Sequence, residues 1–278
     1  MSHRLLVIGA HPDDPDIRAG GLACSCAAAG HDVRFVSITD GRGGHHEQHG
    51  PELVDRRREE AAAAAAAGGI EYRILENPDG RLRPTLENRV EVIQLIREYD
   101  PDVVLTHRPN DYHPDHRYTS QLVRDAAYMV TVPNVCPDAP PLDSNPVFAY
   151  LLDTFERPYP FTPDVVVPID EEMLERKYDM LDCHESQMYE WLPYTEDKLT
   201  AVPDDPDKHR EWLTTDPISG LEEMGNTADR FREQLIERYG VERGREIEYA
   251  EAFEVSEYGG DLTSELAGGL FSPRSAVL

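Results

Sequence analysis

The chain has 278 residues, 40% of them hydrophobic and 29% charged, which allows one large buried core with or without an appendage. Its formal net charge is −27, because 54 acidic residues outweigh 27 basic ones. A field of that sign repels nucleic-acid phosphates and anionic lipid headgroups, so neither nucleic acid nor a membrane is expected as a partner.

The first part of the chain alternates short apolar runs with helix-forming segments. Buried strands are predicted at Leu5–Gly9, Val33–Thr39, Ile70–Leu75 and Asp102–Thr106. Helices are predicted between them at Pro15–Ala29, Glu52–Ala67 and Asn88–Tyr99. Such alternation predicts a parallel sheet wrapped by helices, since parallel neighbours need crossover connections.

The remaining elements are less regular. A helix is predicted from about His116, strands near Val147–Leu152 and Val165–Pro168, and a helix over Glu171–Met188. Val202–Ser219 is predicted to be a loop, Thr227–Tyr239 a helix, and Arg245–Glu254 fits either a helix or a strand. We therefore predict an α/β fold: a Rossmann-like, mostly parallel sheet flanked by helices, with a smaller irregular α/β C-terminal part. The expected division is a catalytic domain at 1–195 and an extension at 196–278 that packs on or near the site.

The sequence gives no sign of membrane insertion or export. No apolar stretch approaches the roughly 20 residues that a helix needs to cross a bilayer. The opening MSHRLLVIGAHPDD is not typical of a signal peptide, since its apolar run is short and leads directly into polar residues. We expect a cytoplasmic protein, and a homo-oligomer is among the assemblies that the sequence leaves open.

Polar clusters follow each of the first four predicted strands. These are His11–Asp14, Asp40–His49, Asn77–Gly80 and His107–His116, in chain order. Because the loops that follow parallel strands emerge at one edge of the sheet, where ligands bind, we expect these distant segments to meet in space.

Two of these clusters contain the donor atoms that zinc favours, imidazole nitrogen and carboxylate oxygen. A catalytic zinc site uses three protein ligands and a water molecule. His11 and Asp14 are close enough along a turn to share one ion, and His116 completes the set from the neighbouring loop. Asp13 and His113 then remain beside the metal as the acid and base groups that hydrolysis needs.

The first cluster also fits two other interpretations. It fits a simple strand-to-helix turn in which an aspartate caps the helix before Pro15. Two His-Pro-Asp motifs at neighbouring strand ends disfavour that interpretation, because clustered histidine and aspartate are typical of functional sites. A nucleotide-binding sheet is also disfavoured, since the first turn lacks G-x-G-x-x-G and only the Gly20-Gly21 pair lies in the helix.

Two motifs carry a family resemblance: G-A-H-P-D-D at Gly9–Asp14 and R-P-N-D-Y-H-P-D-H at Arg108–His116. In this order they resemble the signature motifs of the PIG-L/LmbE-like zinc-dependent N-deacetylases. The resemblance covers the first two thirds of the chain and continues weakly at Glu251-Ala252-Phe253. It implies an LmbE-like fold and a zinc-dependent hydrolase that removes acetyl from an N-acetylated amino sugar of the N-acetylglucosamine type.

The resemblance also implies roles for individual residues. His11, Asp14 and His116 match the zinc ligands of the family, Asp13 matches its general base, and His113 matches the first histidine of its H-P-D-H motif.

Two substrate contacts are implied as well. They fall on Arg57, which is flanked by Arg56 and Arg58, and on Asp79. The chain departs from many relatives in having Pro15 where they have glutamate. That removes an expected hydrogen-bond partner of a ligand, for which Asp16 is the candidate replacement.

The expected mechanism has Asp13 take a proton from a water molecule that zinc acidifies to a pKa of about 7. Zinc and a protonated His113 face the oxyanion that develops on the acetamide. Asp13 or His113 returns a proton to the leaving amine. Asp115 either orients His113 or is a solvated turn carboxylate.

Two further functions stay open. An amidase acting on a thiol-sugar or another acylated glycoside conjugate would use the same catalytic residues with different pocket walls. A non-catalytic zinc- or sugar-binding protein is disfavoured, because both acid and base candidates are present. Trp191, Tyr194 and Trp212 fit either a sugar-stacking wall or the small core of the C-terminal part.

Overall fold

The computed structural model describes residues 2–215 and 226–272 and contains one seven-stranded sheet. The strands are β1 Arg4–Gly9, β2 Asp32–Thr39, β3 Glu71–Asn77, β4 Val103–Thr106, β5 Val147–Leu151, β6 Val165–Pro168 and β7 Ala250–Gly259. Their order across the sheet is β3-β2-β1-β4-β5-β7-β6. The first five in this order are parallel, so the predicted α/β class and Rossmann-like sheet are confirmed.

Helices flank this sheet on both faces. They are α1 Asp14–Ala28, α2 Pro51–Gly68, α3 Leu86–Tyr99, α4 Pro114–Met129, α5 Glu171–Asp182, α6 Leu192–Thr195, α7 His209–Thr215, α8 Arg232–Tyr239, α9 Val241–Glu246 and α10 Ser264–Leu270. A π-helix covers Ser186–Trp191, and residues 226–230 are also helical. Within the described ranges, none of the helices has the length and apolarity to span a membrane.

The central strand β1 shows why the sheet needs cover on both sides. Leu5 and Val7 pack into one hydrophobic cluster together with α1 and α5, whereas Leu6 and Ile8 pack into a second cluster together with α3 and α4. Alternate residues of a strand point to opposite faces, so a strand buried on both faces is apolar throughout. Because β1 is packed on both faces, its carboxyl end, where the loop to α1 begins, is held in place.

The sheet is completed by the segment that the sequence assigns to a C-terminal extension. Strand β7 lies between β5 and β6 and is antiparallel to both. Residues 1–195 and 196–278 therefore contribute to one sheet. Within the predicted loop Val202–Ser219, residues 209–215 form α7 instead, and residues 216–219 lie outside the described residues.

Strand β7 also reaches the interior of α1 through a buried ion pair. Glu251 accepts hydrogen bonds from the backbone N–H groups of Gly21 (2.9 Å) and Leu22 (2.8 Å). Lys177 donates from Nζ to Glu251 Oε1 and to the carbonyl of Ile17, both at 2.7 Å. The ion pair thus bonds to backbone N–H and C=O groups in the middle of α1, so its side chains insert into the helix's own hydrogen-bond pattern.

The Gly20-Gly21 pair explains how the two charged side chains fit. A Cβ added at Gly20 would lie 3.1 Å from Lys177 Cγ, and one added at Gly21 would lie 3.0 Å from Glu251 Oε1. The glycines therefore serve close packing, a role unrelated to nucleotide binding.

Arg97 holds the segment after α4 in place. Its guanidinium is 4% exposed and donates to six backbone carbonyls. These belong to Met129, Val130, Val132, Val135, Cys136 and Ala139.

We expect Arg97→Lys to lower the free energy of unfolding by about 3 kcal/mol, because an ammonium cannot replace the planar fork and leaves buried carbonyls without donors. Urea unfolding measures this, with Arg89→Lys as control, since Arg89 is 36% exposed and lies 3.6 Å from Asp125. Equal stability of the two variants would contradict the assignment.

Candidate active site

The predicted polar clusters meet at the carboxyl edge of the sheet, around a cavity of about 560 Å³. Seven of the eight predicted site residues line this cavity: His11, Asp13, Asp14, Arg57, Asp79, His113 and His116. A larger cavity of about 760 Å³, next to β6, α5 and α9, contains none of them. The histidine-containing cavity is therefore the candidate site.

His11, Asp14 and His116 form a close triangle. His11 Nδ1 lies 3.3 Å from Asp14 Oδ2 and 3.2 Å from His116 Nε2, and His116 Nε2 lies 3.3 Å from Asp14 Oδ1. Asp14 Oδ2 is also held by the backbone N–H groups of Ala10 (3.0 Å) and His11 (2.8 Å). The loop between β1 and α1 thus fixes the carboxylate before any ligand binds.

Each of the two imidazoles has a carboxylate next to its other nitrogen. His11 Nε2 lies 3.2 Å from Asp79 Oδ1, and His116 Nδ1 lies 3.1 Å from Asp111 Oδ1. Carboxylates in this position fix the tautomer and ring orientation of metal-binding histidines. Asp111 was missed by the sequence reasoning, although its place in R-P-N-D-Y-H-P-D-H, five residues before His116, was a usable signal.

The charges around the triangle suit a cation. Burial alone lowers the pKa of His116, but the charge of Asp14 and the contact with Asp111 raise this pKa to about 9. Burial also lowers the pKa of His11, but the carboxylates of Asp115, Asp14 and Asp79 raise this pKa well above its ordinary value. Asp115 Oδ1 is buried without a hydrogen-bond partner, and His11 Nε2 is buried with the Asp79 carboxylate 3.2 Å away but outside hydrogen-bond geometry. The donor set and these atoms fit a divalent metal ion.

Among residues 2–215 and 226–272, three overlapping groups of side chains bring their potential ligand atoms within 4.8 Å of one another. They are His11 with His113 and His116, Asp14 with His107 and His116, and His11 with Asp79 and Asp115. The predicted zinc ligands, His11, Asp14 and His116, come from the first two groups, and the donor atoms of each pair lie 3.2–3.3 Å apart.

His107 is a second residue that the sequence reasoning missed. Its ring stacks on His116 with centroids 4.1 Å apart, and its Nε2 lies 3.2 Å from Asp14 Oδ2. It follows β4 directly, so its position at the carboxyl edge was the available signal.

Asp13 is buried (6% exposed) and its carboxylate is not used as a helix cap. Asp13 Oδ1 lies 3.1 Å from the guanidinium of Arg57, which is 1% exposed and also donates to the carbonyl of Gly41. The capping interpretation of this turn therefore does not account for Asp13.

Of the three consecutive arginines in α2, the middle one faces the cavity. Arg57 lines it, whereas Arg56 donates to both carboxylate oxygens of Glu190, and Arg58 is partly exposed near Asp55. Arg57 is therefore the arginine of the three that lies where a bound molecule could reach it, and its contact with substrate stays a prediction.

His113 caps α4 through its side chain. Its Nδ1 accepts a hydrogen bond from the backbone N–H of Asp115 at 3.2 Å, so a neutral ring carries its proton on Nε2. The Asp115 carboxylate is buried and contacts other groups: Oδ2 accepts from the Gly80 N–H at 2.6 Å and lies 3.7 Å from His11 Nε2. The backbone N–H of Asp115, and not its carboxylate, therefore orients the His113 ring.

Asp16 does not replace the missing glutamate. It accepts a hydrogen bond from the Tyr72 hydroxyl at 3.0 Å, lies 3.3 Å from His184 Nε2 and does not line the cavity. Asp79 and Asp111 are the carboxylates next to the predicted ligands.

Comparisons with known proteins identify the family of the chain. The model of the PIG-L family, described as GlcNAc-PI de-N-acetylase, matches residues 6–127. The chain is 32% identical over 202 residues to diacetylchitobiose deacetylase of Thermococcus kodakarensis, covering 69% of this chain and 74% of the relative. It is 30% identical over 166 residues to 1D-myo-inositol 2-acetamido-2-deoxy-alpha-D-glucopyranoside deacetylase of Salinispora arenicola, covering 48% and 53%.

A solved structure extends the match to nearly the whole chain. N,N'-diacetylchitobiose deacetylase from Pyrococcus horikoshii, complexed with its inhibitor MPG, superposes with a TM-score of 0.68 at 25% identity. The superposition covers 92% of this chain and 84% of that one.

A mostly parallel α/β sheet with histidines and aspartates at its carboxyl edge, taken with these matches, defines a class of enzymes: hydrolases that act on amide bonds. Within that class, the chain belongs to the PIG-L family of LmbE-like deacetylases. The family resemblance predicted from the two motifs is confirmed.

Proposed function

We propose that this chain uses a zinc ion, held by His11, Asp14 and His116, to remove the acetyl group from an N-acetylated amino sugar. One observation carries the proposal: a buried carboxylate that caps no helix, Asp13, lies beside three potential ligands whose donor atoms are 3.2–3.3 Å apart. A divalent ion supplies Lewis acidity, which polarises a carbonyl and acidifies water.

The chain's own residues divide the remaining chemistry. Asp13 accepts the proton of the attacking water, and the Arg57 guanidinium at 3.1 Å holds its carboxylate towards the cavity. His113 donates from Nε2 to the acetamide oxygen as negative charge develops there. The amine leaves after Asp13 returns to it the proton taken from the water.

The amino-sugar substrate is proposed from the relatives together with the cavity. The two relatives above are named as deacetylases of diacetylchitobiose and of an inositol 2-acetamido-2-deoxy-glucopyranoside. Arg57 and Asp79 line the cavity next to the ligands and can hydrogen-bond sugar hydroxyls. Because the second relative is named for an inositol glycoside, an amidase that acts on a glycoside conjugate is the second candidate function.

We expect acetate release from N-acetylglucosamine glycosides to stop when a chelator removes the metal and to return when zinc is added. Enzymatic assay of acetate, with metal content measured on the same samples, tests this. Full activity in metal-free protein would overturn the zinc assignment. Zinc binding without acetate release from any N-acetylated sugar or conjugate would favour the non-catalytic alternative.

A further inference from the structure

Asp40 directly follows β2 and is a buried carboxylate that the proposed mechanism does not use. It is 1% exposed, and its Oδ1 accepts hydrogen bonds from two backbone N–H groups, those of Arg42 (3.1 Å) and Asp79 (3.3 Å). The first N–H belongs to the loop after β2, residues 40–50, and the second to the loop after β3, residues 78–85. One carboxylate oxygen therefore joins two of the loops that form the site.

The other oxygen of Asp40 has a different partner. Arg42 donates to Oδ2 from Nε at 2.7 Å and also from Nη2. The Arg42 side chain is 43% exposed, so water can take the place of its guanidinium. The two oxygens thus have separable roles: Oδ1 joins the loops, and Oδ2 binds an arginine at the surface.

Asp79, whose N–H is bound by Asp40, is held at a second point by the loop after β2. Its Oδ2 accepts a hydrogen bond from the Gly43 N–H at 3.2 Å, and its Oδ1 lies 3.2 Å from His11 Nε2. Asp40 also binds the Arg42 N–H, one residue before Gly43, in the manner of an Asx turn. Asp40 therefore fixes both the backbone of Asp79 and the turn that holds the Asp79 carboxylate.

Close packing leaves this turn little room to shift. Gly41 has a φ of 71°, and its carbonyl accepts hydrogen bonds from the Gly44 N–H at 3.2 Å and from Arg57 Nη1 at 3.3 Å. A Cβ added at Gly41 would lie 2.6 Å from Arg57 Nη1, and one added at Gly44 would lie 2.8 Å from the same atom. The turn is thus seated between the Arg57 guanidinium and the Asp79 carboxylate.

We propose that Asp40 is a positioning residue of the metal site, which holds Asp79 against His11 and thereby raises the affinity of the protein for the ion. The inference rests on the proposed function, in which His11 is a ligand. The nitrogen of His11 that faces Asp14 and His116 is Nδ1, so Nε2 is the nitrogen that a neighbouring carboxylate must hold. Asp40 does not line the cavity, and its route to the ion is through Asp79.

Zinc affinity, measured by competition with a chromogenic chelator, tests this inference independently of turnover. We expect Asp40→Ala to weaken zinc binding by about tenfold, because the Asp79 N–H loses its acceptor and the carboxylate beside His11 is no longer fixed. Asp40→Asn should stay within about twofold of the wild type, since an amide oxygen still accepts both N–H bonds. Arg42→Ala, the matched control, removes the exposed ion pair and leaves Oδ1 in place, so it should also stay within about twofold.

A double-variant cycle separates positioning from a general effect on the fold. Asp79→Ala should weaken zinc binding by about 10- to 100-fold by itself, and adding Asp40→Ala should cause no further loss, because Asp40 acts through Asp79. Additive losses would overturn the inference. So would unchanged zinc affinity in Asp40→Ala, or a loss in Asp40→Asn or Arg42→Ala as large as the loss in Asp40→Ala.

Circular dichroism of the metal-free proteins identifies a variant that does not fold. Where Asp40→Ala does not fold, Asp40→Glu decides the outcome: it keeps the negative charge, displaces the acceptor by one methylene group and should likewise weaken zinc binding. Wild-type affinity in Asp40→Glu would then overturn the inference. A wild type that binds zinc but releases no acetate from any N-acetylated sugar would instead count against the proposed function and leave the role of Asp40 in metal binding standing.

Discussion

Asp13→Asn is expected to reduce kcat for acetate release by about 10³-fold while the metal content of the protein stays unchanged. The amide keeps the shape of the side chain but cannot accept the proton of the attacking water. The ligand triangle does not include Asp13, so metal binding should survive. Metal analysis and acetate release from the same preparation measure both quantities.

His116→Ala provides the contrast to this variant, because it removes a ligand and should lose metal and activity together. Asp138→Asn, on an exposed loop after α4, controls for the loss of one negative charge. If Asp13→Asn kept more than about a tenth of the wild-type kcat, another group would have to be the base. If it lost its metal, Asp13 would have to be counted among the ligands.

Glu251→Leu is expected to lower the free energy of unfolding by about 3–5 kcal/mol, because it leaves the Lys177 ammonium buried without a counter-charge. Lys177 is 0% exposed and Glu251 is 4% exposed, so water cannot replace the lost partner. Lys177→Met should cost less, since Glu251 would keep the N–H groups of Gly21 and Leu22. Urea unfolding of both variants gives the two values.

The double variant Lys177→Met/Glu251→Leu completes the cycle. It should be more stable than Glu251→Leu alone, with a coupling free energy of about 1–3 kcal/mol. The exposed pair Arg210 and Glu175, at 2.7 Å, is a suitable control, and Glu175→Ala should cost less than about 1 kcal/mol. Strictly additive losses at Lys177 and Glu251 would show that the two side chains do not act as a pair.

The parallel half of the sheet was predictable because its signals are local. Strands β1, β2 and β4 are apolar runs that end in turns, and β3 was predicted with its start one residue early and its end two residues early. Strand β7 was not resolved between helix and strand, since Ala250–Gly259 contains alanine and glutamate, which favour helices. Pairing with β5 and β6 overrides that preference, and pairing partners so distant cannot be read from propensity.

The candidate site was predictable as far as residue types and strand ends determine it. The structure brings His11, Asp14 and His116 together, and it selects Arg57 from three adjacent arginines by the direction each one faces. The partners of the histidines depend on side-chain placement. Membership in the second motif marks Asp111 and Asp115 alike as candidates, and only side-chain placement puts Asp111 beside His116 while the carboxylate of Asp115 faces Gly80 and His11.

The position of β7 has a consequence for biosynthesis. Strand β6 is hydrogen-bonded to β7 alone in the sheet order, and β7 begins 82 residues after β6 ends, at 250 against 168. When residues 1–195 have emerged from the ribosome, every predicted catalytic group has therefore been synthesised, but β7, which pairs with the edge strand β6, has not. The nascent polypeptide must be extended past Glu251 before Lys177 meets its counter-charge, 74 residues after Lys177 itself is added, so the buried ion pair forms late in co-translational folding.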